Sequence, residues 1–135
     1  MNQVLLDTSA YLACMKGHEK IQDILRSAEA IYFNPIVLGE IYRGFRLGGH
    51  REKNESELNE FIAGPRVKFI DVDEDTSERY ALIANDLQAK GTPISTNDIW
   101  ISASAMQYGL AVLTLDRDFL RVQQIITLCP EPPAS

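Results

Sequence analysis

Short apolar runs bounded by turn residues alternate with helical patterns along the chain, and this alternation restricts the fold more than any other feature. Residues 4–6, 30–33, 67–70 and 111–114 are short aliphatic or β-branched runs, and 125–128 is a candidate fifth. Each is too short for a helix and apolar at consecutive positions, which is how a strand buried on both faces reads. Between them lie helical signals. Ser9 is placed to cap a helix through Met15, and Ile21, Ile24, Leu25 and Ala28 recur at helical spacing. Asn34-Pro35 opens a helix, with Asn as cap and Pro in the first turn, that runs through Glu40 to about Leu47 and stops at Gly48-Gly49. A polar helix over 52–62 ends at Gly64-Pro65. A longer one over 75–90 turns Tyr80, Ile83, Ala84 and Leu87 inward and ends at Gly91. The last is capped by Thr96 or Asn97, carries Asp98 and ends before Gly109. The expected fold class is α/β: a central, mainly parallel sheet of four to five strands sandwiched between helical layers, as one domain over residues 1–135. The tail, residues 130–135, is too rich in proline for regular structure.

In an open parallel sheet, ligands bind beyond the carboxyl ends of the strands. Asp7 and Asp116 fall just past the first and fourth expected strands. Each candidate acid also has an ordinary structural role available to it. Asp7 suits a turn or cap. Glu40 sits beside Ile36 and Val37 on its helix and is one turn from Arg43, a salt-bridge partner. Asp98 is a first-turn acid favoured by the helix dipole. Its face carries Ser102 and Ala105, whose small side chains are expected to leave a site open. Asp116 can cap the short helix after it, and Thr114 alternates with it along an extended segment, so both can face one side. Four acids at one site repel one another. Mg²⁺ or Mn²⁺ resolves that conflict with oxygen ligands, and such ions can activate water against a phosphodiester without a histidine.

Charge and composition narrow the function. Lys and Arg number 13 against 19 Asp and Glu, a net charge of −6. That balance argues against tight nonspecific nucleic-acid binding. It does not exclude a nuclease whose divalent ions supply positive charge where the phosphate sits. Cys14 and Cys129 lie in no Cys-x-x-Cys pattern and read as reduced thiols. His18 and His50 fall in polar, Gly-flanked segments that read as loops. No apolar run is long enough to cross a bilayer, and residues 1–6 carry no positive charge ahead of their apolar stretch, so the cytoplasm is the expected compartment.

Taken together, Leu5-Leu6-Asp7-Thr8-Ser9, Glu40 on its Asn34-Pro35 helix, the stretch PISTNDIWISASA (93–105) and AVLTLDRDF (111–119) resemble the PIN-domain nucleases. Within that family they are most similar to the VapC toxins of type II toxin–antitoxin systems. The stretch from Pro93 to Phe119 carries most of the resemblance. What it implies is a Mg²⁺- or Mn²⁺-dependent endoribonuclease with Asp7 and Asp98 as principal metal ligands. Glu40 and Asp116 complete the cluster directly or through water, and Thr114 supplies a supporting hydroxyl. Asp118 lies outside that set and is expected at the surface or at a helix start. The resemblance also implies a homodimer and a VapB-like antitoxin that fills the groove. The densest basic stretch, Arg43, Arg46, His50, Arg51 and Lys53, is either a contact for RNA phosphates or a solvated helix end.

Other readings compete. A receiver or haloacid-dehalogenase-like domain also places an Asp after the first strand and binds Mg²⁺. The second of these needs another Asp two residues on, where this chain has Ser9. A pure binding module gains nothing from four uncompensated acids. A PIN nuclease of RNA maturation without an antitoxin differs little in sequence from a toxin.

Overall fold

In the computed structural model, which describes residues 2–131, the alternating pattern forms one five-stranded sheet of order β3-β2-β1-β4-β5 with every neighbouring pair parallel. The strands are β1 (Gln3–Leu6), β2 (Ala30–Phe33), β3 (Val67–Phe69), β4 (Ala111–Leu113) and β5 (Thr127–Leu128). The helices are α1 (Thr8–Met15), α2 (Glu19–Ser27), α3 (Pro35–Leu47), α4 (Arg51–Ile62), α5 (Glu74–Ala89) and α6 (Thr96–Tyr108), and a 3-10 turn covers Arg117–Arg121. The sheet is α/β and sandwiched as expected. Of the irregular tail, Pro130 and Glu131 carry no regular structure, and residues 132–135 lie outside the described residues.

Burial explains the order. Val4, Leu5 and Leu6 are all buried, so consecutive side chains of β1 meet protein on both faces, and β1 takes the centre. β3 was expected to be equally apolar, but Lys68 and Phe69 are exposed, and it takes an edge. Tyr11, Phe33 and Phe61 meet edge to face, with ring centroids 5.5–6.0 Å apart, tying α1, β2 and α4 into the main core. A smaller core joins Ile83 and Leu87 of α5 to Ile99 and Ala103 of α6.

Chain order then creates the functional mouth. The chain runs outward from β1 to β2 and β3, then crosses to β4 on the other side of β1. The direction of winding therefore reverses between β1 and β4, and the crevice at their carboxyl ends is the expected ligand site of such a sheet. Register places the next residues together: Leu6 pairs with Leu113, and the Asp7 amide donates to the Leu113 carbonyl at 3.1 Å.

Two helix caps differ from the sequence expectation. Asp7, not Ser9, caps α1, its Oδ1 accepting from the Ala10 amide at 2.9 Å. Ser95, not Thr96 or Asn97, caps α6, its Oγ accepting from the Asp98 amide at 3.2 Å. The reason is the same at both ends. The cap is the last residue in extended conformation, and Ser9, Thr96 and Asn97 are already helical. His18 lies in the loop expected of it but is buried rather than on the surface, and its Nδ1 accepts from the Ile21 amide as the cap of α2. His50 is exposed ahead of α4, and both cysteines are free thiols.

Asn34 caps α3 as expected and does more. Its Oδ1 accepts from the Val37 amide at 2.9 Å, while its Nδ2 donates to Ser104 Oγ of α6 at 3.0 Å, with no exposure to solvent. One side chain thereby starts α3 and fixes it against α6. Asn34→Ala removes a cap and one of the two hydrogen bonds of the buried Ser104 hydroxyl, which keeps its bond to the Trp100 carbonyl. It is expected to lower the unfolding free energy by about 2–3 kcal/mol, measured by urea denaturation.

Candidate metal centre

Asp7 is the innermost acid, only 4% exposed. Its Oδ2 accepts from Thr114 Oγ1 at 2.6 Å, and both its oxygens lie within hydrogen-bonding distance of Ser9 Oγ, at 2.9 and 3.1 Å. Burial pushes its carboxyl up to about 6. The hydrogen bonds from Thr114, the Ala10 amide and Ser9 oppose that rise, and the nearby charge of Asp116 adds to it. Asp98, half-buried in the first turn of α6, is also pushed up to about 6. Burial is again the main cause, the Ser95 contact opposes it, and the charges of Asp116, Glu40 and Asp7 add to it. These acids therefore sense one another across four chain segments brought together only by the fold.

Asp116 and Thr114 share one side of the segment after β4. The Asp116 amide donates to Thr114 Oγ1 at 2.8 Å, and Asp116 Oδ1 accepts from the Asp118 amide at 2.9 Å. Asp116 thus does cap the short turn, as its structural reading held, and still joins the cluster. One carboxylate oxygen each from Asp98, Asp116 and Asp118 lies within 4.8 Å of the others, spacing suited to a shared cation. Asp118 was expected at the surface or a helix start. It is a first-turn acid of the 3-10 turn, and the turn's curvature brings it into the cluster.

Glu40 does not pair with Arg43 in any ion pair among the described residues. Its Oε1 accepts from Thr8 Oγ1 at 2.7 Å and its Oε2 from Asn97 Nδ2 at 3.2 Å. Ser102 and Ala105 do not leave a site open. They are buried, and their small size lets α6 pack closely in the core.

Several participants were missed from sequence. Ser9 links Asp7 to the Leu115 amide, which donates to its Oγ at 3.0 Å, and lies 3.3 Å from Thr114 Oγ1. Thr8 and Asn97 hold Glu40. The available signal was adjacency, because Thr8 follows Asp7 and Asn97 precedes Asp98.

The basic residues divide. Arg43, Arg46 and Arg51, with Gly39, Tyr42, Leu47 and Glu55, line an open groove of about 620 Å³ between α3 and α4. Gly39 and Arg43 belong to the same helix as Glu40, which is not itself a lining residue. Arg51 donates to Glu55 at 3.0 Å, and Lys53 pairs with Glu57 at 3.9 Å, so these two are partly neutralised. Arg43 and Arg46 enter no ion pair among the described residues. Among those residues no helix is long and apolar enough to cross a membrane.

Comparison with known proteins agrees with this geometry. The family described as PIN domain matches residues 4–125. Ribonuclease VapC1 of Rickettsia felis is 31% identical over 131 residues, which cover 93% of this chain and 94% of that protein. Ribonuclease VapC4 of Mycobacterium tuberculosis is 30% identical over 90 residues, 67% of this chain and 69% of that protein. Among solved structures, DNA-bound VapBC from Salmonella typhimurium superposes with a TM-score of 0.81 at 27% identity, covering 96% of this chain and 98% of that one. VapBC2 from Rickettsia felis, bound to a promoter DNA fragment, has the same fold, with a TM-score of 0.84 at 23% identity over 96% of this chain and 99% of that one. With its acids at the turning point of a five-stranded parallel sheet and this match across nearly its whole length, the chain belongs to the PIN-domain family, among the VapC ribonucleases.

Proposed function

We propose that this chain is a single-domain, cytoplasmic endoribonuclease that depends on Mg²⁺ or Mn²⁺ and acts as the toxin of a type II toxin–antitoxin pair. Its partners in this reading are an RNA substrate, a VapB-like antitoxin and a second copy of itself. The observation that carries the reading is the convergence of carboxylate oxygens of Asp98 and Asp116, with Asp118, within 4.8 Å of one another from separate segments, next to the buried Asp7 whose carboxyl feels the charge of Asp116. Carboxylates clustered in this way repel one another unless positive charge joins them. The donor set fits a hard cation: the clustered groups among the described residues are carboxylates, with the Thr114 hydroxyl bonded to Asp7. Asp7, Asp98 and Asp116 are the proposed ligands, with Glu40 and Asp118 acting directly or through water. What a bound divalent cation supplies there is positive charge against the phosphate and a water acidified enough to attack phosphorus.

The chain's own residues do the rest. Thr114 donates to Asp7 and so keeps that carboxylate in one rotamer, and Ser9 braces both hydroxyl and carboxylate. Asp116 is held by its own turn. Arg43, Arg46 and Arg51 offer guanidinium groups along the groove between α3 and α4, suited to phosphate oxygens. Arg46→Ala combined with Arg43→Ala is expected to weaken RNA binding about 10-fold and flatten its salt dependence, read by filter binding at several salt concentrations. Unchanged binding would return these residues to the role of a solvated helix end. The antitoxin reading is supported by relatives solved as VapBC complexes.

The reading is tested by sequencing the ends of RNA cut by the purified protein with Mg²⁺ or Mn²⁺. Because water is the attacking group, a 2′-deoxy nucleotide at the cut site should still permit cleavage. Products ending in a 2′,3′-cyclic phosphate would overturn the proposed chemistry.

A further inference from the structure

Glu40 differs from the other acids in how it is held. Asp7 is fixed by the first turn of α1 and by Thr114 just past β4, and Asp116 by its own turn. Glu40 projects from the middle of α3, and both its oxygens are taken by donors from other elements. Thr8 Oγ1, at the start of α1, donates to Oε1 at 2.7 Å, and Asn97 Nδ2, in the first turn of α6, donates to Oε2 at 3.2 Å. Each donor is the sequence neighbour of another acid, Thr8 of Asp7 and Asn97 of Asp98. Glu40 therefore bridges the two segments that carry the other principal acids. Both donors are neutral, so the carboxylate is oriented without being neutralised. Each oxygen accepts one bond here and retains a second lone pair for a cation or its water.

Asn97 is exposed, and a surface hydrogen bond of this kind contributes little to folding. Its side chain also plays no part in starting α6, since Ser95 is the cap. The work left to it is orientation. We infer that Asn97, together with Thr8, is a positioning residue of the metal centre, acting through Glu40 to fix that carboxylate relative to Asp98 and Asp7. Groups that orient metal-binding carboxylates typically change metal affinity or activity by about 10–100-fold when removed. The inference rests on the proposed divalent-metal site and adds to it a named device for holding Glu40.

The test is a double-mutant cycle on Mn²⁺ affinity, read from the electron paramagnetic resonance of free Mn²⁺ and requiring no turnover. The proteins are wild type, Asn97→Leu, which keeps the volume and removes the donor, Glu40→Gln, and the double variant. Asn97→Leu is expected to weaken Mn²⁺ binding about 10-fold while melting with the wild type. In the Glu40→Gln background the same change should add less than about twofold, because the carboxylate it orients is gone. In RNA cleavage Asn97→Leu should lower kcat with KM unchanged. Thr8→Val should behave like Asn97→Leu, and Thr8→Ser, which keeps the hydroxyl, like the wild type. Equal losses in both backgrounds, or no loss in the wild-type background, would overturn the positioning role while leaving the metal site standing. A wild-type protein that binds no Mn²⁺ would overturn both.

Discussion

Asp98→Asn is expected to lower metal-dependent RNA cleavage by about 10³-fold without unfolding the protein. The loss corresponds to about 4 kcal/mol of transition-state stabilisation, the order expected when a cation that polarises a phosphate is displaced. The fold should survive because the cap of α6 uses the Asp98 backbone amide and Ser95 Oγ, both unchanged in the variant. Burial and the charges of Asp116, Glu40 and Asp7 already disfavour the ionised Asp98 carboxylate. Removing that charge therefore relieves repulsion in the metal-free protein, and Asp98→Asn should melt no lower than the wild type in chelator at pH 7. A variant that lost activity by unfolding would show the opposite melting behaviour.

The second large effect is a pH dependence of stability set by Asp7. Its carboxyl is raised from the ordinary value of 3.8 to about 6, chiefly by burial, and is only 4% exposed. A carboxyl whose value rises on folding favours the folded state while it is protonated. Its contribution is fully present below about 3.8 and is lost as the pH rises through about 6. The gap corresponds to about 3 kcal/mol. In chelator, the unfolding free energy of the wild type relative to Asp7→Asn should therefore fall by most of that amount between pH 4 and pH 7, measured by urea denaturation. A ligand that binds only the folded state stabilises it. Added Mn²⁺ should consequently raise the melting temperature at pH 7.5, and progressively less below pH 6 as protons compete for the same oxygens. A flat difference between wild type and variant across this range would mean that Asp7 carries no such strain.

The strand runs, their parallel pairing and the two strand-end acids were legible in the sequence because burial on both faces leaves a local signature. Val4, Leu5 and Leu6 could be read as a buried strand from three letters, and its central place in the sheet came with the structure. The caps were less legible. Ser9 and Asn97 are good capping residues by type, but the cap is decided by which residue is last in extended conformation, and the flanking strand and loop set that. The site divided along the same line. Asp7, Thr114 and Asp116 follow strands whose register brings them together, so their proximity could be inferred. The partners of Glu40 could not, because Thr8 and Asn97 lie 32 and 57 residues away in the chain and meet it only once α1, α3 and α6 have packed. Arg43, the local partner suggested by helical spacing, loses to these long-range donors and instead lines the groove. Asp118 is the helix-start acid expected of it, and its place within 4.8 Å of Asp98 and Asp116 depends on packing of α6 against the 3-10 turn, which has no local signature.

The central claim is that the clustered carboxylates act by holding a divalent cation that drives RNA hydrolysis. The most direct measurement follows cleavage of one defined RNA by the purified protein in excess chelator and again after Mn²⁺ or Mg²⁺ is restored, beside Asp98→Asn. The predicted result is no cleavage in chelator, recovery with the cation for the wild type, and none for the variant. Cleavage that persists in chelator, or full recovery in Asp98→Asn, would contradict the account.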